Sequence, residues 1–241
     1  WLPQSKALER GEAYVLLQWE SAKATVIPRQ DRHGVILAWL RQLYVPAIPP
    51  KQRRVLRAVA SVGFQHCTLR PRVSHGTLMI RSAINSNQTI QSALTTGRDL
   101  GLLRMDQRRR GVYLLLPEAC VSNAPVSGQV IPEGIKGIDP QLITTSEPID
   151  LTLTPTEAEV LRLIRHGCEA EATAIPDALG VSRSSVYNAF TKLADVGLID
   201  HVNSALRPGP RESREVAVKL GADTKMKKLI DYVERRRQAL W

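Results

Sequence analysis

Residues Thr77–Arg104 read TLMIRSAINSNQTIQSALTTGRDLGLLR, and residues Thr173–Asp200 read TAIPDALGVSRSSVYNAFTKLADVGLID. The two stretches align without a gap at an offset of 96 residues, and seven of their 28 positions are identical. Ordinary composition gives about two identities by chance in that length. Several other positions exchange one apolar residue for another, such as Ile90 with Val186. The chain therefore contains one segment twice, which predicts a duplicated unit of structure.

Helix boundaries are easiest to recognise around the second copy. Thr154–Glu157 is a capping box with a proline at the first helical position. Thr173 is predicted to cap a short second helix. Ser182 is predicted to cap a third helix that runs to about Val196, and Gly197 supplies a left-handed stop. The face of this third helix that we expect to be buried consists of Val186, Ala189, Phe190 and Leu193.

Two strands are predicted to follow the third helix of the second copy, Leu198–Val202 and Glu215–Leu220, around a long turn rich in Arg, Pro and Gly. The first copy repeats the same order of elements. Its first helix is predicted over Lys51–Val62, and Ser86 caps its third helix. Leu102–Met105 and Val112–Leu116 are predicted to form a tighter hairpin, and Gly101 stops the helix before it.

Three helices followed by a two-stranded hairpin resemble the winged helix-turn-helix superfamily. The second copy, IPDALGVSRSSVYNAFTKLADVGLI, is most similar to the MarR- and IclR-like bacterial branch. The resemblance implies a mainly α fold with small β-hairpin wings (α+β), in two tandem winged helix-turn-helix domains. It also implies a third helix in the major groove of DNA and a wing on the flanking backbone. The expected organisation is an N-terminal extension (1–48), domain 1 (49–117), a Pro/Gly/Ser/Thr-rich linker (118–150), domain 2 (151–221) and a C-terminal amphipathic helix (222–241).

Charge is distributed unevenly along the 241 residues, whose formal net charge is +10. Residues 1–120 carry 18 Lys and Arg against 7 Asp and Glu, whereas residues 151–241 carry 14 against 12. The 67 residues from Arg32 to Arg98 contain ten basic residues and no acidic residue. Such a span predicts a surface for a polyanion, and nucleic acid is the favoured partner. Solubility and an acidic protein partner are the alternatives.

The N-terminal half of each third helix is where this superfamily reads base edges. In the second copy the polar stripe is chemically suited to DNA, because Arg can bond guanine and Asn can bond adenine through two hydrogen bonds each. In the first copy the stripe is uncharged, which also suits contact with a protein, and a solvated helix face is the alternative for both. The candidate DNA-binding residues are Arg183, Ser184, Tyr187, Asn188 and Lys192 in the second copy, and Asn87, Gln88, Gln91 and Ser92 in the first.

The predicted wings carry further arginines. Three adjacent arginines at the tip of the first hairpin repel one another unless an anion lies nearby, and a phosphate backbone or a narrow minor groove would satisfy them. A simple solvated turn is the alternative. The candidate wing residues are Arg108, Arg109 and Arg110 in the first copy, and Arg207, Arg211 and Arg214 in the second.

The C-terminal segment has apolar residues at helical spacing. This stripe predicts either a dimerisation helix, giving a homodimer, or a helix that packs back onto its own domain. Its members are Met226, Leu229, Ile230 and Val233.

Catalysis is not expected, because the chain has no phosphate-binding loop and its five His have no paired carboxylates beside them. No cofactor and no metal site are predicted. Three cysteines at wide spacing fit reduced thiols, and no segment is long and apolar enough to span a membrane. These features favour a cytoplasmic, nucleoid-associated protein.

The sequence therefore predicts a protein that binds double-stranded DNA through both copies, most simply a sequence-specific transcription regulator. A plasmid- or phage-type replication initiator or DNA-maintenance protein is the first alternative. A scaffold that uses winged helices to bind protein is the alternative of another class. Because the two copies differ in surface charge, we expect the second copy to select sequence and the first to grip the DNA backbone.

Overall fold

The computed structural model describes residues 29–106, 111–116, 148–165, 173–202 and 205–239. The described chain is mostly helical, with two small antiparallel hairpins. No helix in these ranges is long and apolar enough to cross a membrane. The helices are α1 (Arg29–Arg41), α2 (Pro50–Gln65), α3 (His75–Ser82), α4 (Asn87–Asp99), α5 (Pro155–Arg165), α6 (Ile175–Leu179), α7 (Arg183–Asp195), α8 (Ser213–Lys219) and α9 (Ala222–Gln238). The strands are β1 (Leu103–Met105), β2 (Tyr113–Leu115), β3 (Ile199–Val202) and β4 (Ala205–Pro208).

Helix α2 is the centre of the first half, and its residues from Arg53 to Gly63 are buried on every side. Helices α1, α3 and α4 pack around it. The N-terminal segment, for which the sequence indicates no role, belongs to this core from α1 onward. Its Trp39 is fully buried, and the indole Nε1 donates a hydrogen bond to the carbonyl oxygen of Leu102 over 2.6 Å. Helix α1 therefore packs against α2 and also contacts the chain just before the first hairpin.

The predicted caps and stops are confirmed in both copies. The side chain of Ser86 accepts the backbone N–H of Thr89, and that of Ser182 accepts the N–H of Ser185. Gly101 and Gly197 end the third helices with φ of +69° and +74°. In the capping box, Thr154 and Glu157 bond each other's backbone N–H. Thr173, in contrast, does not cap α6, which begins after Ala174 without a side-chain cap.

Both hairpins follow a third helix, and three of the four predicted strands are confirmed, because β3 lies within the predicted Leu198–Val202. Strands β1 and β2 pair Leu103 with Leu115 and Met105 with Tyr113. Strands β3 and β4 pair Ile199 with Pro208. The second hairpin is therefore short, and the predicted long turn of the second wing is wrong.

The predicted strand over Glu215–Leu220 is also wrong, because these residues form most of α8 and the turn that ends it. Consecutive Val216 and Ala217 are both buried, which suits one face of a helix and not the alternation of a strand. Gly209 follows the second hairpin, and its backbone N–H donates to the carbonyl oxygen of Leu198 over 2.9 Å. A Cβ at this position would lie 2.4 Å from the carbonyl oxygen of Gly197, so only glycine lets the chain turn back beneath the end of α7.

The two halves pack against each other through their first helices, α2 and α5. The Arg57 guanidinium donates to both carboxylate oxygens of Glu159 over 2.6 Å, and both side chains are buried. Asp150, in the 3₁₀ turn Pro148–Leu151, pairs with Arg162 within the second half, and the Arg54 guanidinium of α2 lies 4.0 Å from the same carboxylate. This polar, buried junction joins the copies into one packed unit.

Helix α9 packs on α3 of the first half and on the 3₁₀ turn before the second. Leu229 of the apolar stripe is buried, and Val233 lies so close to Gly76 that a Cβ there would come within 2.8 Å of it. The stripe therefore packs within its own chain, against α3 of the first copy as well as beside the second. The alternative that it packs onto its own domain is right only in part, and the homodimer stays a prediction. The close approach of the stripe to α3 is possible because Gly76 has no side chain.

Candidate nucleic-acid interface

Helix α7 separates its two faces sharply. The face that contains Val186 and Phe190 is buried, as predicted. On the opposite face Tyr187 remains 53% exposed, and its ring meets that of Phe190 edge-on with centroids 5.7 Å apart. This contact fixes the base of a large aromatic side chain whose outer part faces solvent. The exposed side chains at the start of the helix also include Arg183, Ser184, Ser185 and Asn188.

Lys192 differs from its neighbours on the same stripe. Its Nζ lies 3.0 Å from Oε1 of Glu157, the acidic member of the capping box on α5. Burial alone would raise the pKa of Glu157, but bonds from Thr154 and Lys192 hold that pKa below its ordinary value. Lys192 is still 65% exposed, so it can contact an anion only at the expense of its present partner.

The three arginines predicted for the second wing lie on separate elements. Arg207 is exposed on β4 opposite Asp200 of β3. Arg211 follows the hairpin, covers Gly197 and donates to the carbonyl oxygen of Val196 over 3.4 Å, at the carboxyl end of α7. Arg214 is exposed at the start of α8. They do not form one loop, although all three face solvent.

Helix α4, the counterpart of α7, begins beneath the C-terminal helix. With the amide oxygen of Asn87 turned towards α9, that oxygen accepts two hydrogen bonds from the Arg236 guanidinium, over 2.9 and 2.7 Å. Gln91 lies 3.4 Å from the ring Nε2 of His75. Gln52 donates to the Ser92 hydroxyl over 2.8 Å. Of the four candidate residues here, Gln88, Gln91 and Ser92 are exposed and Asn87 is half-buried.

The triple-arginine tip of the first hairpin, Arg108–Arg110, lies outside the described residues. The strands that lead to it are in place. Tyr113, the first residue of β2, is buried, and its backbone N–H donates to the carbonyl oxygen of Pro71. The base of this hairpin is thus held by the segment between α2 and α3.

Three arginines of the acid-free span are not on the surface, and the expectation that this span forms one basic face is wrong for them. Arg53 is 0% exposed and donates to the carbonyl oxygens of Leu43, Val45 and Ile48. Arg54 and Arg57 are buried against the second half. Their acidic partners stand more than 90 residues later in the sequence, so the count of charges along the span could not show the pairing.

These buried charges compensate one another. Burial alone would raise the pKa of Glu159, but Arg57 and the neighbouring arginines hold it below its ordinary value. Burial would lower the pKa of Arg57, and the Glu159 carboxylate raises it above the ordinary value instead. Arg57 and Glu159 therefore both remain charged in the interior. The sequence of α2 carries no signal for this junction, because Arg53, Arg54 and Arg57 fall on one stripe opposite its apolar face, which is the pattern of an exposed helix side.

Within the described ranges no group of three or more His, Cys, Asp and Glu side chains is placed to hold a metal ion. The chain matches no protein-family model, no curated protein and no solved structure. What the interface can do must therefore be inferred from its residues. They offer a guanidinium, a carboxamide, a hydroxyl and a phenol on one exposed helix face, backed by a packed core.

Proposed function

We propose that this protein binds double-stranded DNA through two winged helix-turn-helix units, with α7 as the helix that selects sequence. One observation carries the proposal: Arg183, Ser184, Tyr187 and Asn188 are exposed together at the capped start of a helix whose other face is buried. Tyr187 adds an exposed phenol to the centre of this face, with a ring that can pack on a partner and a hydroxyl that can bond a phosphate.

The chemistry of this face suits bases and phosphates. A guanidinium can donate two hydrogen bonds to O6 and N7 of guanine, and a carboxamide can pair with N6 and N7 of adenine. Arg183 and Asn188 supply these groups, while Ser184 and Tyr187 supply hydroxyls for the backbone. Arg207, on the hairpin that follows α7, can add a phosphate contact beside the groove.

The junction of α2 with α5 bears on whether the two copies bind DNA independently or as one body. Copies joined only by a linker would gain affinity through effective concentration. The buried pair of Arg57 and Glu159 supports a different picture, in which α4 and α7 approach DNA as parts of one rigid body. Both copies then contribute to a single site, and the spacing of their contacts is fixed by the protein.

The first test is the salt dependence of duplex binding by fluorescence anisotropy. We expect the affinity for a 30-base-pair duplex to fall steeply between about 50 and 200 mM salt, because phosphate contacts release counterions. A protein-binding scaffold, the alternative of another class, predicts no such binding. Arg183→Ala should weaken this binding, and Lys225→Ala, which removes one positive charge from the exposed start of α9, is its matched control.

The biological role we propose is transcription regulation, with replication initiation as the alternative. Genome-wide mapping of the bound sites separates the two. Single sites at many promoters support a regulator, whereas repeated sites beside one origin of replication support an initiator.

A further inference from the structure

A cleft of about 670 Å³ lies between the C-terminal half of α9 and the start of α3 and α4. Its floor is apolar and includes Met79, Ile80, Ile230 and Val233. Its rim is polar and carries most of the charge. The polar and basic residues of the rim include His75, Asn87, Arg236 and Arg237.

Positive charge at this rim is not neutralised by an ion pair. Arg236 is exposed, and its partners in the described chain are neutral: the Asn87 amide oxygen and the Tyr232 hydroxyl, 3.4 Å away. Glu234 is the acidic residue among those that line the cleft. Burial, together with the charge of Arg236, lowers the pKa of His75 below its ordinary value. The local potential is therefore positive even with His75 neutral.

The contact between Asn87 and Arg236 also fixes a geometry. Two hydrogen bonds to one amide oxygen hold the guanidinium beside the first residue of α4. The remaining N–H groups of Arg236 are left to bond another acceptor, and the guanidinium of Arg237 follows on the next residue of α9. Two adjacent guanidinium groups are suited to bind an anion with several oxygen atoms, such as a phosphate.

We infer that Arg236 and Arg237 form a phosphate-binding site for the DNA backbone, so that α9 extends the interface of the first copy. This inference rests on the proposed function. In this arrangement the C-terminal helix binds the DNA backbone that lies beside the start of α4. Helix α4 itself does not, because its exposed face carries amides and hydroxyls. The apolar stripe of α9 places the pair, because it packs against α3.

In the opposite arrangement, α9 covers the start of α4 and keeps DNA away from it. The two arrangements predict changes of opposite sign for Arg236→Ala/Arg237→Ala, assayed in the full chain with a random-sequence 30-base-pair duplex. We expect the affinity at fixed salt to fall about tenfold and the slope of log K against log salt to become shallower by about 1 to 2. Unchanged or tighter binding would overturn the inference.

Arg235→Ala is the matched control. It removes one positive charge from the same helix, where the double variant removes two, but Arg235 does not line the cleft, and its Nε donates to the carbonyl oxygen of Asp231. We expect its effect to be less than about twofold. An equal loss in the control and the double variant would show general attraction and would contradict a site. If the alanine variant fails to fold, Arg236→Gln/Arg237→Gln is expected to give the same loss with the packing kept.

A free phosphate ion is another source of the same chemistry. If inorganic phosphate at constant ionic strength raises the Tm of the wild type while the double variant binds DNA normally, the site serves the free ion and the inference fails. Wild-type binding that is insensitive to Arg236 and Arg237 but weakened by Arg183→Ala/Asn188→Ala would overturn this site and leave the proposed function standing. No duplex binding by the wild type would overturn both.

Discussion

The two third helices are alike in length and cap but differ in what surrounds them. Helices α4 and α7 each have 13 residues and a serine cap. The start of α7 presents Arg183 and Asn188 to solvent, whereas the start of α4 lies beneath α9, with Asn87 bonded to Arg236. Duplication has preserved the packing of the helix and not its surface. This difference supports a division of labour in which α7 selects bases and the first copy grips the backbone.

The two first helices show a similar contrast in charge. Helix α2 contributes Arg53, Arg54 and Arg57 to the interior, and α5 contributes Glu159. When Val55–Arg57 is aligned with Val160–Arg162, Arg57 matches Arg162, and each pairs with a carboxylate in the second half of the chain. Part of the excess positive charge of the first half is therefore buried, because its cations pair with carboxylates of the second half.

The largest effect is expected from Glu159→Ala, which leaves Arg57 charged and unpaired in the interior. We expect the free energy of unfolding to fall by about 3–5 kcal/mol, measured by urea denaturation. Arg57→Met/Glu159→Met is expected to recover most of that loss, since it removes both charges. Glu215→Gln, which removes an exposed acid on α8, should leave the Tm unchanged. If Glu159→Ala lowers the free energy of unfolding only slightly, the pair of Arg57 and Glu159 does not join the halves.

A pH effect of definite sign follows from the same pair. The folded-state pKa of Glu159 is lowered from its ordinary value of 4.5. Its contribution is therefore fully present above about pH 4.5 and is lost as the pH falls through the folded-state pKa. Urea denaturation at several pH values should show a steeper acid loss for the wild type than for Glu159→Gln. Parallel curves for the two proteins would contradict this assignment.

The smallest effect is expected from Lys192→Ala. Its ion pair with Glu157 is largely solvated, and such pairs contribute about 0–1 kcal/mol. We expect a change in Tm of a few degrees at most, with duplex binding weakened less than by Arg183→Ala. A larger loss of binding than for Arg183→Ala would place the DNA contact further along α7 than we propose.

Local signals in the sequence predicted much of the fold. The caps at Ser86 and Ser182, the stop at Gly197 and the buried face of α7 each depend on a few neighbouring residues, so their pattern was sufficient. The same holds for the first hairpin. The exposed residues at the start of α7 were also predicted, because a capped amphipathic helix determines which side faces out.

Features that depend on distant parts of the chain could not be predicted. Burial of Arg53 and Arg57 requires knowing that α2 meets α5, and the position of Arg236 requires knowing where α9 packs. The predicted strand over Glu215–Leu220 is wrong for a different reason. A run of six residues with four apolar members fits a strand or a helical turn, and packing against the 3₁₀ turn Pro148–Leu151 and α9 decides between them.

The division of labour is tested most directly by selecting binding sites from a random duplex library with two variants in parallel. Arg183→Ala/Asn188→Ala should flatten the selected motif, because each bidentate base contact contributes about 1–3 kcal/mol of discrimination. Asn87→Ala/Gln88→Ala/Gln91→Ala should keep the wild-type motif. If the variant of α4 loses more sequence discrimination than the variant of α7, the division of labour is contradicted.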